Sequence, residues 1–334
     1  MERRIRERFS EDILDEAMMR FGIGAECIHL LDGFESYIYE YQKNSRSFVL
    51  RIGHSIRRNA EMVMSEIDWI NYLSIRGAAV AAAVKSSQDR YVELIPDGRD
   101  GSFVVVSFVK APGKPPRKEI WQPEFFETYG KTIGRMHRLT QRYQPSEGIA
   151  RRPDWNHPDM LEIERFVPAN ETEVLNRYRE LMAYLESLSV SEDSYGLIHQ
   201  DAHGGNLFVD DTGGITLFDF DDCVYSWLIN DIAIVLFYAA LPARNPVMFT
   251  RIFMTHFLKG YRTENTLSPE WLKEIPHFLK LREIDMYAII HRSFDVENLE
   301  DPWCRGYMKD RRKKIESGVP FMDFDFEELS DSLL

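Results

Sequence analysis

Asp201, Asn206 and Asp219 stand in an order and spacing that suit the transfer of a phosphoryl group to a hydroxyl. That chemistry needs a carboxylate to orient the hydroxyl and accept its proton. It also needs Mg²⁺, a hard cation that takes a few oxygen ligands and leaves places for phosphate and water. Asp201 lies in a loop just after the apolar run Leu197-Ile198. Asn206 offers a neutral amide oxygen at the start of a strand, and Gly204 and Gly205 let the loop turn sharply before it. Asp219 follows the second strand of an expected hairpin, Leu207–Val209 with Ile215–Phe218, around Asp210-Asp211-Thr212-Gly213-Gly214. The hairpin is expected to bring Asn206 and Asp219 to neighbouring positions, both able to reach one metal site opposite Asp201. A zinc site on His199, Asp201 and His203 would need a helix, and the two glycines and the following strand argue against one.

The pattern His199-x-Asp201-x-x-x-x-Asn206 followed by Asp219-Phe220-Asp221 resembles the catalytic and metal-binding loops of the aminoglycoside phosphotransferase and choline kinase family. Protein kinases usually carry Lys two residues after the catalytic Asp, where this chain has His203, and Asp-Phe-Gly where it has Asp-Phe-Asp. The resemblance implies an α+β, bilobal protein-kinase-like fold and an enzyme that uses ATP and Mg²⁺. It implies Asp201 as catalytic base, Asn206 and Asp219 as Mg²⁺ ligands, His199 as a brace for the loop and Asp221 as a second candidate at the metal. Asp231 would hold the backbone of the catalytic loop. The acceptor would be a hydroxyl of a small molecule such as an aminoglycoside, a choline-like amine, homoserine or a sugar. Two other readings stand beside this one: a degenerate kinase-fold module that binds nucleotide without turnover, and a kinase acting on protein Ser or Thr. The absence of an Ala-Pro-Glu segment after Asp219 weighs against the last.

The elements needed to position these residues are legible upstream. Residues 10–21 have the pattern of a short amphipathic helix with Ser10 as N-cap. Cys27–Leu31, Tyr37–Tyr41 and Ser47–Ile52 read as strands, and Tyr91–Ile95 and Ser102–Val109 as two more. Between the third and fourth, Val63, Ile67, Ile70 and Leu73 recur at helical spacing from about Asn59 to Arg76, with Gly77 as the stop. Gly33-Phe34-Glu35-Ser36 falls between two strands, where a phosphate-covering loop belongs; Gly33 and Ser36 either present backbone N–H groups to phosphates or simply form a turn. Arg51 on the third strand is either a bidentate phosphate clamp or an edge-strand surface cation. Glu66 in the inserted helix either pairs with Arg51 or is an exposed acid. The backbone of Phe108-Val109-Lys110-Ala111, with Val109 at its centre, would read adenine. The Pro- and Gly-rich segment Ala111–Pro116 marks a hinge, giving a nucleotide-binding lobe over residues 1–110 and a mainly helical lobe with the catalytic loop and acceptor site over 111–334.

In the second part, Phe126, Tyr129, Ile133, Met136 and Thr140 share one helix face, with Gly130 and Gly134 permitting close packing. Glu171–Leu188 reads as another helix, and the chain is expected to be helical from the hairpin to about Arg312, with an acidic, partly disordered tail over Phe324–Leu334. The formal net charge is −13, of which residues 1–112 carry only −2. Such acidity argues against a nucleic-acid partner and leaves open the steering of a cationic substrate. Three scattered cysteines give no disulfide framework, and the charged start of the chain lacks a signal-peptide core, so a cytoplasmic, membrane-free protein with a small-molecule partner is expected.

Overall fold

A computed structural model describes residues 1–31, 33–161 and 163–333. Asp32, at the entrance to the candidate phosphate loop, lies outside the described residues. The chain divides into two compact units. The first comprises Met1–Pro115, Arg142–Arg152 and Leu207–Asp221; the second comprises Pro116–Gln141, Pro153–Asn206 and Asp222–Leu334. The first unit thus takes in two later segments that a division at residue 110 leaves out.

The first unit is built on a six-stranded antiparallel sheet: β1 (Ile28–Leu31), β2 (Tyr37–Lys43), β3 (Arg46–His54), β4 (Ala83–Val84), β5 (Glu93–Pro96) and β6 (Ser102–Val109). The order is β1-β2-β3-β6-β4, with β5 also pairing β6. Sequence reading finds five of these strands and misses β4, whose two residues are too short to show a period. β6 is apolar almost throughout because it is covered on both faces. Val104 and Val106 meet Val63 and Ile67 of the helix Ala60–Ile75. Phe103 and Val105 point the other way, into a cluster with Leu50, Ile52 and the helix Glu11–Phe21. The inserted helix starts where the Asn59 side chain accepts from the Met62 N–H at 2.8 Å, and it is followed by Gly77 at φ +80°.

Both later segments are tied to this unit by specific bonds. Ser65 donates to the Ala150 carbonyl at 2.7 Å, and Tyr143 to the Asp68 carboxylate at 2.7 Å. The hairpin Leu207–Val209 with Ile215–Leu217 exchanges backbone bonds with Ala79, Ala81 and Lys114.

The second unit is mainly helical. The helices Pro123–Thr140 and Pro246–Tyr261 approach backbone to backbone: a Cβ on Gly130 would stand 1.8 Å from the Phe257 carbonyl oxygen, and one on Gly260 would stand 1.9 Å from that of Glu127. The helix Leu228–Ala240 is buried at nearly every position. It follows a strand, Val224–Trp227, that pairs antiparallel with Tyr195–Ile198. This corrects the expectation of unbroken helix here; four residues pairing with a distant partner carry no local hairpin signal. The tail also differs from expectation. Phe326–Leu333 forms a 3₁₀ helix with Phe326 and Leu329 buried, since side chains three apart line up in that geometry. Among the described residues no helix is long and apolar enough to cross a membrane.

Candidate active site

In the first unit, Arg51 lies on β3 between β2 and β6, so it is not on an edge strand. Its Nη1 and Nη2 donate to the two carboxylate oxygens of Glu66 at 2.9 and 2.6 Å. Both side chains are buried, Glu66 at 0% exposure, so neither is a surface charge. The guanidinium lies over the Phe108 ring, 5.2 Å from its centroid. Asp219 comes within 3.7 Å of Arg51 and Asp221 within 3.8 Å. Asp219 is half-exposed and left-handed at φ +63°. That conformation costs a non-glycine residue about 1 kcal/mol and is typical of functional turns. Asp221 is also paired with Arg57, and the Arg152 guanidinium donates to its carbonyl at 2.9 Å. The Asp221 carboxylate thus faces Arg57 and Arg51 while its carbonyl holds Arg152.

Ser36, Arg51, Arg57, Arg58 and Asp221 line one small pocket. Its three guanidinium groups and a hydroxyl suit phosphate oxygens. Gly33 opens the turn before it: a Cβ there would fall 2.3 Å from the Ser36 carbonyl oxygen, so the turn demands glycine. Val109 donates its N–H to the Ala82 carbonyl and Lys110 to that of Ser47, so these two N–H groups are spent within the sheet.

In the second unit, the loop after the strand Tyr195–Ile198 carries Asp201. Asp231 clamps this loop, accepting from the His199 N–H at 2.9 Å and the Gln200 N–H at 2.8 Å. His137, fully buried, bonds Asp231 at 3.2 Å and the Tyr261 hydroxyl at 2.9 Å. His199 Nδ1 accepts from the Asp201 N–H at 3.3 Å, as a loop brace should. The Asn206 amide nitrogen donates to the Asp201 carbonyl and to Asp201 Oδ2, both at 2.9 Å. With its nitrogen committed, Asn206 keeps its amide oxygen for a ligand. His203 Nδ1 accepts from the Gly205 N–H at 2.8 Å, which places the proton of the neutral ring on Nε2, 3.3 Å from Asp201 Oδ2.

Sequence reasoning misses Arg282. It lies on the helix Ile275–Ser293, 81 residues from Asp201, and donates to Asp201 Oδ1 at 2.5 Å. It also donates to Asp285 at 2.8 Å and to the Tyr238 hydroxyl at 2.6 Å. Burial alone would push its proton affinity down, but Tyr238, Asp201 and Asp285 reverse that and raise it. The signal was present: Phe278, Leu279, Arg282 and Met286 form one buried stripe broken by a charge.

The Asp219 carboxylate of the first unit and the Asn206 amide oxygen of the second are each the kind of oxygen donor that a hard divalent cation takes. Among the described residues no three His, Cys, Asp or Glu side chains gather into an all-protein cage.

An antiparallel sheet with one inserted helix, a buried Arg–Glu pair and a clamped His-x-Asp loop define a kinase-like phosphotransferase. Residues 26–267 match the model of the phosphotransferase enzyme family, and the chain belongs to that family. It is 39% identical over 326 residues to the amicoumacin kinase of Bacillus subtilis (strain 168), covering 96% of each chain. A solved amicoumacin kinase, hAmiN, in complex with AMP-PNP, Ca²⁺ and Ami superposes with a TM-score of 0.93 at 38% identity, over 98% of this chain and 100% of that one. A microcompartment-associated aminopropanol kinase shares the fold, with a TM-score of 0.71 at 23% identity over 96% and 95% of the two chains. The α+β kinase-like fold and the phosphotransferase class expected from the sequence are both met.

Proposed function

We propose that the chain transfers the γ-phosphoryl group of ATP to a hydroxyl of an amine-bearing small molecule of the amicoumacin kind. The hydroxyl oxygen bonds to the γ-phosphorus, the bond to the β–γ bridging oxygen breaks, ADP leaves, and the hydroxyl proton passes to the Asp201 carboxylate. Asn206 and Asp219 would hold Mg²⁺, which when bound neutralises phosphate charge. Arg51, kept in place by Glu66, clamps phosphate oxygens; Gly33 and Ser36 supply the turn over them; Val109 lies in the segment that meets adenine. Residues 1–110 serve the nucleotide, and 111–334 supply the catalytic loop and the acceptor site. The cytoplasm, where ATP is made, is the working compartment.

The observation that carries this reading is the Asn206 amide bonded through nitrogen to Asp201, which presents its oxygen while fixing the base. The test is ATP consumption with Mg²⁺ across a panel of amicoumacin, amino alcohols, choline and aminoglycosides. Amicoumacin is expected to give the highest kcat/KM, and Asp201→Asn to reduce turnover by about a thousandfold while the protein stays folded. Full turnover by Asp201→Asn would overturn the assignment, and a panel without any accepted hydroxyl would overturn the substrate class.

A further inference from the structure

We propose that Arg282 is a positioning residue that fixes which oxygen of Asp201 meets the acceptor hydroxyl; the inference rests on the reading of Asp201 as the base. A carboxylate offers about four lone-pair sites, two on each oxygen. Oδ2 accepts from the Asn206 amide at 2.9 Å, and the His203 ring nitrogen Nε2 stands 3.3 Å from it and crowds what remains of that oxygen. Among the described residues Oδ1 accepts from Arg282 alone, at 2.5 Å. Oδ1, beside the guanidinium, is therefore the less crowded oxygen for a hydroxyl.

Arg282 can hold that arrangement because it is itself held. Asp285 accepts from its Nη1, Tyr238 accepts from its Nη2, and the Tyr238 ring lies 5.2 Å from its centre. The helix Ile275–Ser293 thereby sets the rotation of the Asp201 carboxylate. A guanidinium stays protonated at any working pH, so Arg282 moves no proton. Its contribution is geometry, the fixed rotation of the carboxylate that takes the proton.

The experiment is steady-state kinetics with ATP, Mg²⁺ and amicoumacin on the full chain. Asp201→Asn is measured first: activity there sinks the base assignment, whereas its loss leaves Arg282 to be judged separately. Arg282→Ala is expected to lower kcat by about 100-fold, the scale on which small misplacements act, with the KM for ATP within about twofold. Arg282→Lys is expected to recover part of kcat, and added guanidinium chloride to restore part of the alanine variant's rate. A kcat unchanged in Arg282→Ala overturns the inference. So does a loss that neither lysine nor guanidinium repairs and that tracks a fall in melting temperature. If the alanine variant does not fold, Asp285→Asn and Tyr238→Phe release Arg282 without emptying its place. A several-fold fall in kcat in both supports the inference, and an unchanged kcat in both overturns it.

Discussion

Arg51 and Glu66 join two elements at a single buried point, and the pairing is strong for geometric reasons. The guanidinium fork matches both carboxylate oxygens, at 2.9 and 2.6 Å, where solvent does not screen it. Removing one partner of such a pair leaves a buried charge uncompensated and costs about 3–5 kcal/mol. Lysine would keep the charge but lose the fork, and its ammonium would be free to move away from the phosphates. Glu66→Gln is therefore expected to lower the melting temperature by several degrees and to raise the KM for ATP by about tenfold, equivalent to about 1.4 kcal/mol of binding. Arg51→Lys should raise the KM for ATP similarly with a smaller loss of stability. Differential scanning fluorimetry and ATP titrations of both variants decide the matter. Unchanged values in Glu66→Gln would show that the carboxylate does not hold Arg51 for the nucleotide.

Elements position these groups through close backbone contact, and that makes particular glycines testable. Gly130 lets the helix Pro123–Thr140 lie against the Phe257 carbonyl, while Gly306, inside the helix Pro302–Met308, has nothing within 4 Å of a built Cβ. Gly130→Ala is expected to cost at least about 1–3 kcal/mol through overpacking. Gly306→Ala should gain about 0.4–1 kcal/mol by restricting the unfolded chain. Urea denaturation of the two variants should give opposite signs, and equal effects would show that the helix contact is looser than drawn. These glycines also show what was legible beforehand. Gly130 and Gly134 stand four apart on an otherwise regular helix, so their role was open to reading. The loop from His199 to Asn206 was legible for the same reason: its chemistry is contiguous in the chain. Arg282 was not, because its partner is 81 residues away and only the fold joins them. The strand β4 was hidden because two residues carry no period, and Val224–Trp227 because its partner, Tyr195–Ile198, is not its neighbour in sequence.

At the scale of the whole molecule, stability should depend on pH through histidines buried in the neutral form. His54 Nδ1 accepts from the Ile56 N–H at 3.1 Å, so its proton lies on Nε2, which bonds Asp97 at 3.2 Å. A second proton would have to enter at Nδ1 and break the Ile56 bond. Burial holds the His54 ring below its ordinary proton affinity, against the pull of Asp97. His291 is lowered by burial as well, and its buried Nε2 has no hydrogen-bond partner among the described residues. The unfolded chain would protonate both rings near the ordinary value of 6.5 while the folded chain still excludes the protons. The unfolded state then binds more protons, so stability rises with pH through this window and is lost on acidification. The melting temperature is expected to be level above about pH 7.5 and to fall steadily towards about pH 5.5, before carboxylates begin to protonate. His291→Phe, which keeps a ring against Tyr287 and removes the titrating group, should flatten part of that slope. Fluorimetry across this range on both proteins makes the comparison. A melting temperature that stays constant or climbs as the pH falls would mean that these rings take up protons in the folded chain as readily as in the unfolded one.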